Sequence, residues 1–300
     1  MGKSTVFLAA LGALVLALGA LAACSPLRVI NAVSPAGAST VQAGLAYGAE
    51  PRQKLDVYVP REAHGPLPVV VFFYGGNWVA GERADYAFVG RALAAHGIVA
   101  VIPDYRLFPE VRYPDFLDDA AGAVAWTARD IARYGGDPSQ LFVMGHSAGA
   151  YNAAMVALDA SLLARQGLSP ATLRGWIGMA GPYDFIPVEN PTTRPVFLFP
   201  NTPPASQPIM HVSADAPPAL LIAARRDTLV EPMRNTGGLA MRLRAAGVGV
   251  EEVYYDGVSH TTLVASLAAP LHALAPALDA VTHFVASDGG RRAPAPPASK

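Results

Sequence analysis

Apolar runs of strand length recur along the chain, separated by segments with helical periodicity. Residues 68–73, Pro-Val-Val-Val-Phe-Phe, form a continuous β-branched and aromatic run, as expected of a strand covered on both faces. Residues 98–102, 141–146, 175–180, 218–224 and 250–255 read as further strands. Residues 54–59, Lys-Leu-Asp-Val-Tyr-Val, alternate polar and apolar, which predicts a half-buried strand at a sheet edge. Helices are expected at 85–96, closed by Gly97, and at 114–134, stopped by Gly135-Gly136. Two more are expected just after Ser147 and over 234–246. Strands alternating with helices predict the α/β class: a mostly parallel sheet with right-handed crossovers and helices on both faces. In such sheets the chemistry gathers at the carboxyl ends of the strands.

The two ends follow another pattern. Lys3 precedes an apolar run over 6–23 that finishes in small residues, a secretory signal pattern. Its ending, Leu21-Ala22-Ala23-Cys24, resembles the lipobox of bacterial lipoproteins. That resemblance implies cleavage before Cys24, acylation there, and a chain anchored in the cell envelope through more than one acyl chain. Ser25 follows, where an aspartate would suggest retention at the inner membrane, so the outer membrane is expected if the source is Gram-negative. Cys24 is the one cysteine in the chain, which excludes an intramolecular disulfide. The expected organisation is a signal peptide (1–23), a tether (24–51), one catalytic domain (52–286) with a possible small lid (182–217), and a disordered tail (287–300). Composition narrows the class further. With 22 basic and 23 acidic residues the formal charge is −1, and no basic patch points to nucleic acid. The oligomeric state is left open.

The chemistry centres on Gly145-His146-Ser147-Ala148-Gly149, a G-x-S-x-G pentapeptide between a predicted strand and a predicted helix. A serine on so sharp a turn needs small neighbours, because a Cβ at either glycine would collide with the adjoining strand or helix. Serine hydroxyl is a poor nucleophile until a base takes its proton and a third group holds that base. Of the seven histidines, His260 fits best, lying in a loop just after the last strand and just before a helix. His146 adjoins the serine and is expected to point elsewhere. Asp227 follows the strand at 218–224 and is the expected orienting acid, with Asp256 its rival. The order Ser147, Asp227, His260 is that of α/β-hydrolases. Oxyanion donors are expected from Ala148 N–H and from Gly75, Gly76 and Asn77 after the strand at 68–73. No CxxC or HExxH cluster is present, so neither a metal nor an organic cofactor is called for.

These motifs, with Asp104-Tyr105-Arg106-Leu107-Phe108-Pro109-Glu110, Asp118-Asp119, Gly135-Gly136-Asp137-Pro138 and Ala216-Pro217-Pro218, resemble an α/β-hydrolase of the hormone-sensitive-lipase-like and bacterial acetyl or feruloyl esterase group. The resemblance runs from about Lys54 to the helix after His260. It implies a serine esterase acting on small-molecule carboxylic esters, with Asp104 and Arg106 bracing loops and not reacting. Tyr74-Gly75-Gly76-Asn77 stands where the group has H-G-G-G, and His146 stands where it commonly has Asp. Both changes are similar to the arylformamidase and prenylcysteine-methylesterase branches. A third departure is Arg225-Arg226 in place of small residues before the acid. An arylformamidase-like amide hydrolase and a non-catalytic lipid-anchored binding protein on the same fold are the alternative readings.

Overall fold

The computed structural model describes residues 26–291; the expected signal peptide, Cys24, and residues 292–300 lie outside the described residues. In chain order the main elements are α1 (Pro26–Val33), β1 (Ser39–Ala46), β2 (Lys54–Pro60), β3 (Leu67–Phe73), α2 (Ala87–Ala95), β4 (Val99–Pro103), α3 (Asp115–Asp130), β5 (Gly136–His146), α4 (Ala148–Leu158), α5 (Ala160–Ala164), β6 (Leu173–Met179), β7 (Ala219–Ala224), α6 (Gly238–Ala245), β8 (Val250–Tyr255), α7 (His260–Ala265) and α8 (Ala277–Ala286). The eight strands form one sheet in the order β1-β2-β4-β3-β5-β6-β7-β8. β1–β2 and β2–β4 are antiparallel and every other pair is parallel. This is the α/β-hydrolase fold.

The central strands are apolar because both faces are covered. Residues Val69 to Phe73 of β3 have no exposed surface, and β5 is buried from Leu141 to His146. Helix α4 is buried at every position, which explains its lack of a polar face: a helix apolar all round belongs inside the core. Helix α3 is amphipathic instead, with Asp115 and Asp118 in its first turn and Arg129 in its last, in line with its dipole. Both long helices expected from periodicity end in tighter or wider turns. A 3₁₀ turn over Ile131–Tyr134 finishes α3, and a π turn over Met233–Gly237 leads into α6.

Three expectations are corrected. The 54–59 strand is not at the edge: β1 lies outside it, and β2 is buried on both faces from Leu55 to Tyr58. Its polar positions mislead because they are satisfied internally. Asp56 accepts from Gly44 N and Arg83 Nε, each at 2.8 Å, and the Tyr58 ring lies where any side chain at Gly90 would sit. Residues 26–51 of the expected tether are folded as α1 and the β1 hairpin. Asn31 clamps α1 to the body, donating to Ala84 O and Asp85 O (2.9 Å each) and accepting from Phe88 N (2.8 Å). The expected tail is ordered through residue 291: Asp288 pairs with Arg174, and Arg291 donates to Arg174 O at 2.7 Å.

Candidate active site

Ser147 closes β5 and opens α4 with φ 56° and ψ −123°, a conformation that non-glycine residues rarely adopt. The turn survives because its glycines leave no room to relax. A Cβ on Gly145 would lie 2.1 Å from Gly149 O, and one on Gly149 would lie 2.0 Å from Phe73 O. Helix α4 therefore packs directly on β3, and the serine is lifted above the carboxyl end of the sheet.

His260 is the first residue of α7. Its place is fixed by a capping box in which Ser259 N donates to Thr262 Oγ1 (2.7 Å) and Thr262 N to Ser259 Oγ (3.3 Å). Its Nδ1–H donates to Asp227 Oδ2 at 2.7 Å, which leaves Nε2 to accept from the Ser147 hydroxyl at 2.8 Å. Asp227 follows β7 and also accepts Leu229 N (2.8 Å) and Val230 N (3.0 Å) on its other oxygen. Burial pushes the Asp227 carboxyl up, but the hydrogen bond and charge of His260 and those two N–H groups outweigh it and hold the group below its ordinary value. Asp256, the rival acid, is exposed and faces Arg225 at 3.3 Å. Arg225 also stacks over Tyr254 at 5.4 Å, which accounts for one of the two unusual arginines. The three residues named from the sequence are thus brought together, and the rival acid Asp256 is not.

His146 departs from expectation. It does not point away but packs against His260, the two ring centroids 4.9 Å apart. Its Nε2–H donates to the His260 carbonyl at 2.9 Å. Burial, then the neighbouring His260, drives its pKa down from 6.5 to about 3, so it is a neutral brace under α7.

The loop after β3 is tightly wound: Gly76 has φ 135°, Asn77 φ 54° and Trp78 φ 59°. A Cβ on Gly76 would lie 2.1 Å from Ala80 O, and one on Gly75 would lie 3.0 Å from Ser147 Cβ. Gly75 therefore presses against Ser147, Gly76 and Asn77 line a cavity with it, and Ala148 supplies the first N–H of α4. The Gly75 N–H faces the Tyr86 hydroxyl, whose pKa burial pushes up to about 12.

Two cavities meet at Ser147. One, of about 270 Å³, is lined by Trp78, Ala148, Phe185, Asn190, Leu229 and Asn235, among others. The other, of about 240 Å³, includes Leu27, Gly75, Tyr86, His146, His260 and Val264. Residues 182–190 of the long excursion wall the first cavity. That wall is tied down: Asn235 Oδ1 accepts Tyr183 N (2.7 Å) and Asp184 N (2.9 Å), and Gln207 Oε1 accepts Phe185 N (2.7 Å). Trp78, Phe185 and Phe197 form an aromatic cluster behind it, Trp78 meeting Phe197 edge-on at 4.7 Å. Trp78, Leu27, Asn190 and Leu229 were not singled out from the sequence, and only the position of Trp78 beside Gly75-Gly76-Asn77 offered a signal. Asp104 and Arg106 lie outside both cavities. Asp104 takes Tyr74 Oη (2.9 Å) and Arg83, and Arg106 pairs with the buried Asp119 at 2.7 Å. No group of three or more His, Cys, Asp or Glu side chains is placed to hold a metal among the described residues.

The family model described as BD-FAE matches residues 55–241, well over half the chain. The chain belongs to the BD-FAE family. Among curated relatives, a probable isoprenylcysteine alpha-carbonyl methylesterase of Oryza sativa is 30% identical over 72% of this chain and 56% of its own length. Esterase LipC of Mycobacterium tuberculosis is 32% identical over 66% of this chain and 54% of its own. The chain thus spans about half the length of the curated relatives it matches. Among solved structures, an esterase of Pyrobaculum calidifontis superposes with a TM-score of 0.68 at 26% identity, covering 88% of each chain. Ser147 and Asp227 fall within the matched range, and His260 with its supporting turn lies beyond it.

Proposed function

We propose that this BD-FAE family member is a carboxylic ester hydrolase that works through an acyl-enzyme on Ser147. The observation that carries the reading is the unbroken hydrogen-bond chain from Ser147 Oγ through His260 to Asp227. Relatives and structural neighbours named as esterases support the reaction class. Ser147 Oγ attacks the ester carbonyl carbon as its proton passes to His260 Nε2. Asp227 holds the imidazole in the Nδ1–H form and stabilises the imidazolium. Charge on the carbonyl oxygen is met by the N–H groups of Ala148, Gly76 and Asn77, with Gly75 supplying the close approach. The imidazolium returns the proton to the leaving alkoxide, leaving the acyl group on Ser147. Water, activated by the same histidine, then releases the acid. The two cavities flanking Ser147 suit the acyl and alcohol portions of a small ester.

The chain is further proposed to be a lipoprotein of the bacterial cell envelope, acylated at Cys24. Its support is the sequence pattern over 3–25, outside the described residues. No helix among the described residues is long and apolar enough to cross a membrane.

Ser147→Ala should abolish turnover of 4-nitrophenyl acetate and labelling by a fluorophosphonate probe, with the thermal transition unchanged. Turnover retained in that variant removes Ser147 from the mechanism. Absence of labelling in the folded wild-type protein favours the non-catalytic reading. Faster turnover of formylkynurenine than of phenyl acetate would replace the ester with the amide.

A further inference from the structure

Helix α1 brings the amino-terminal segment directly to the catalytic pocket. Leu27 lines the same cavity as Ser147 and His260. The helix cannot drift from that place without breaking its ties to the body. Besides the Asn31 clamp, Arg91 Nη1 donates to Asn31 O (2.8 Å) and Ser34 O (3.2 Å). Arg28 also lies 3.7 Å from Glu82 and 3.9 Å from Asp85. Leu27 is three positions after Cys24, and three extended steps of chain reach at most about 11 Å. The expected tether would have let the domain float tens of ångströms from its anchor and tumble freely. The folded α1 removes nearly all of that slack.

On the other side of the mouth two apolar side chains stand out from polar neighbours such as Glu231 and Arg234. Leu229 is 72% exposed although it lines both cavities, and Met233, four residues on and outside both cavities, is 62% exposed. A solvent-facing leucine at the rim of a site, with an exposed methionine close by in the chain, suits contact with an apolar phase.

We propose that the mouth of the site is held against the lipid surface, and that its substrates are esters of membrane-resident amphiphiles. The inference rests on ester hydrolysis at Ser147 and on acylation at Cys24, and it adds the orientation and the source of the substrate. Acyl chains on Cys24 fix one edge of the mouth at the bilayer, and Leu229 with Met233 rest on it from the other edge. An ester group near the headgroup level then reaches Ser147 by a short lateral step, with no need to leave the bilayer.

The test uses the full-length lipidated chain in phosphatidylcholine vesicles. With Cys24 acylated, an introduced cysteine is the single reactive thiol. An environment-sensitive dye is placed at Met233→Cys or at Ser139→Cys. Ser139 is exposed near the start of β5, roughly 25 Å along the strand from Ser147. A lipid-borne quencher should dim the dye at position 233 several-fold more than the dye at position 139. A flexible Gly/Ser spacer of about ten residues between Ser25 and Pro26 should lower turnover of a long-chain ester embedded in the vesicles about tenfold, leaving turnover of dissolved 4-nitrophenyl acetate unchanged. Equal quenching at the two sites overturns the orientation, and undiminished turnover of the embedded ester in the spacer variant overturns the substrate source. Dye reacting at Cys24 itself would sink the anchor and this inference with it, leaving the ester hydrolase standing. Failure to turn over dissolved ester would instead sink the hydrolase reading, while the quenching pair still reports the orientation.

Discussion

The floor and the wall of the site are built by different means. The floor, made of Ser147, His260 and Asp227, stands at the ends of β5, β7 and β8. Its geometry is set by backbone: the Gly145 and Gly149 contacts, the Ser259 capping box, and two N–H groups on Asp227. The wall, residues 182–190 with Trp78 and Leu229, is built of side chains. Rings and amides from four distant parts of the chain meet there, held by Asn235 and Gln207. A floor set by backbone fixes one reaction, whereas a wall set by side chains can be refitted to a new substrate without disturbing it. The floor should therefore respond alike to every substrate, and the wall should respond to each one differently.

The largest effect is expected from the floor. Asp227→Asn keeps the shape but offers His260 an amide, which favours the wrong tautomer and cannot stabilise the imidazolium. kcat should fall roughly 10³- to 10⁴-fold, and by the same factor for acetyl and octanoyl nitrophenyl esters. A loss that differs tenfold between the two chain lengths would mean that Asp227 shapes the pocket as well, and the division between floor and wall would fail.

A smaller effect, opposite in kind, is expected from the wall. Phe185 lines the larger cavity and meets Phe197 edge-on at 5.0 Å. Phe185→Ala enlarges that cavity and removes apolar contact on the order of 2–3 kcal/mol, part of which serves the folded state and part the substrate. kcat/KM for the acetyl ester should fall about tenfold while that for the octanoyl ester holds or rises. Fluorophosphonate labelling of Ser147 should persist. Equal losses on both esters would make residues 182–190 scaffold only.

The same division explains what could be read from the sequence. The floor was legible because backbone devices leave local traces: glycines two positions either side of Ser147, and a histidine and an aspartate just past apolar runs. The wall was not legible because its members are separated in sequence by tens of residues and meet only after folding. Residues 39–46 were missed as a strand because β1 is exposed along most of its length and carries few large apolar groups. The 54–59 strand was set at the edge because its Asp56 is buried through a pairing with Arg83 that no local pattern announces. Helix α1 has eight residues and is held mainly by Asn31, a residue type that ordinarily signals a turn. Its hold is tertiary, so it could pass for tether.

The smallest effect separates two histidines that share one floor. In the proposed mechanism His260 exchanges a proton, while His146 does not. The unfolded chain binds a proton on His146 at its ordinary 6.5, but the folded protein refuses it until about 3. Between those values the unfolded state holds more protons, so stability falls as pH falls, by up to about 1.4 kcal/mol per pH unit from this one group. Asp227 works in the same direction over a lower window. Its folded pKa is depressed, so its contribution is fully present above the ordinary carboxylate range and is lost only as pH drops below it. His146→Asn removes the first effect and leaves the second. Urea midpoints at pH 7, 6 and 5 should show the wild type losing its advantage over the variant by about that amount per unit below 6.5. At pH 7 the variant should be the less stable of the two, since the His260 carbonyl loses its 2.9 Å donor. Parallel stability curves across that range would mean that His146 takes up its proton in the folded state, and the neutral brace beneath α7 would have to be given up.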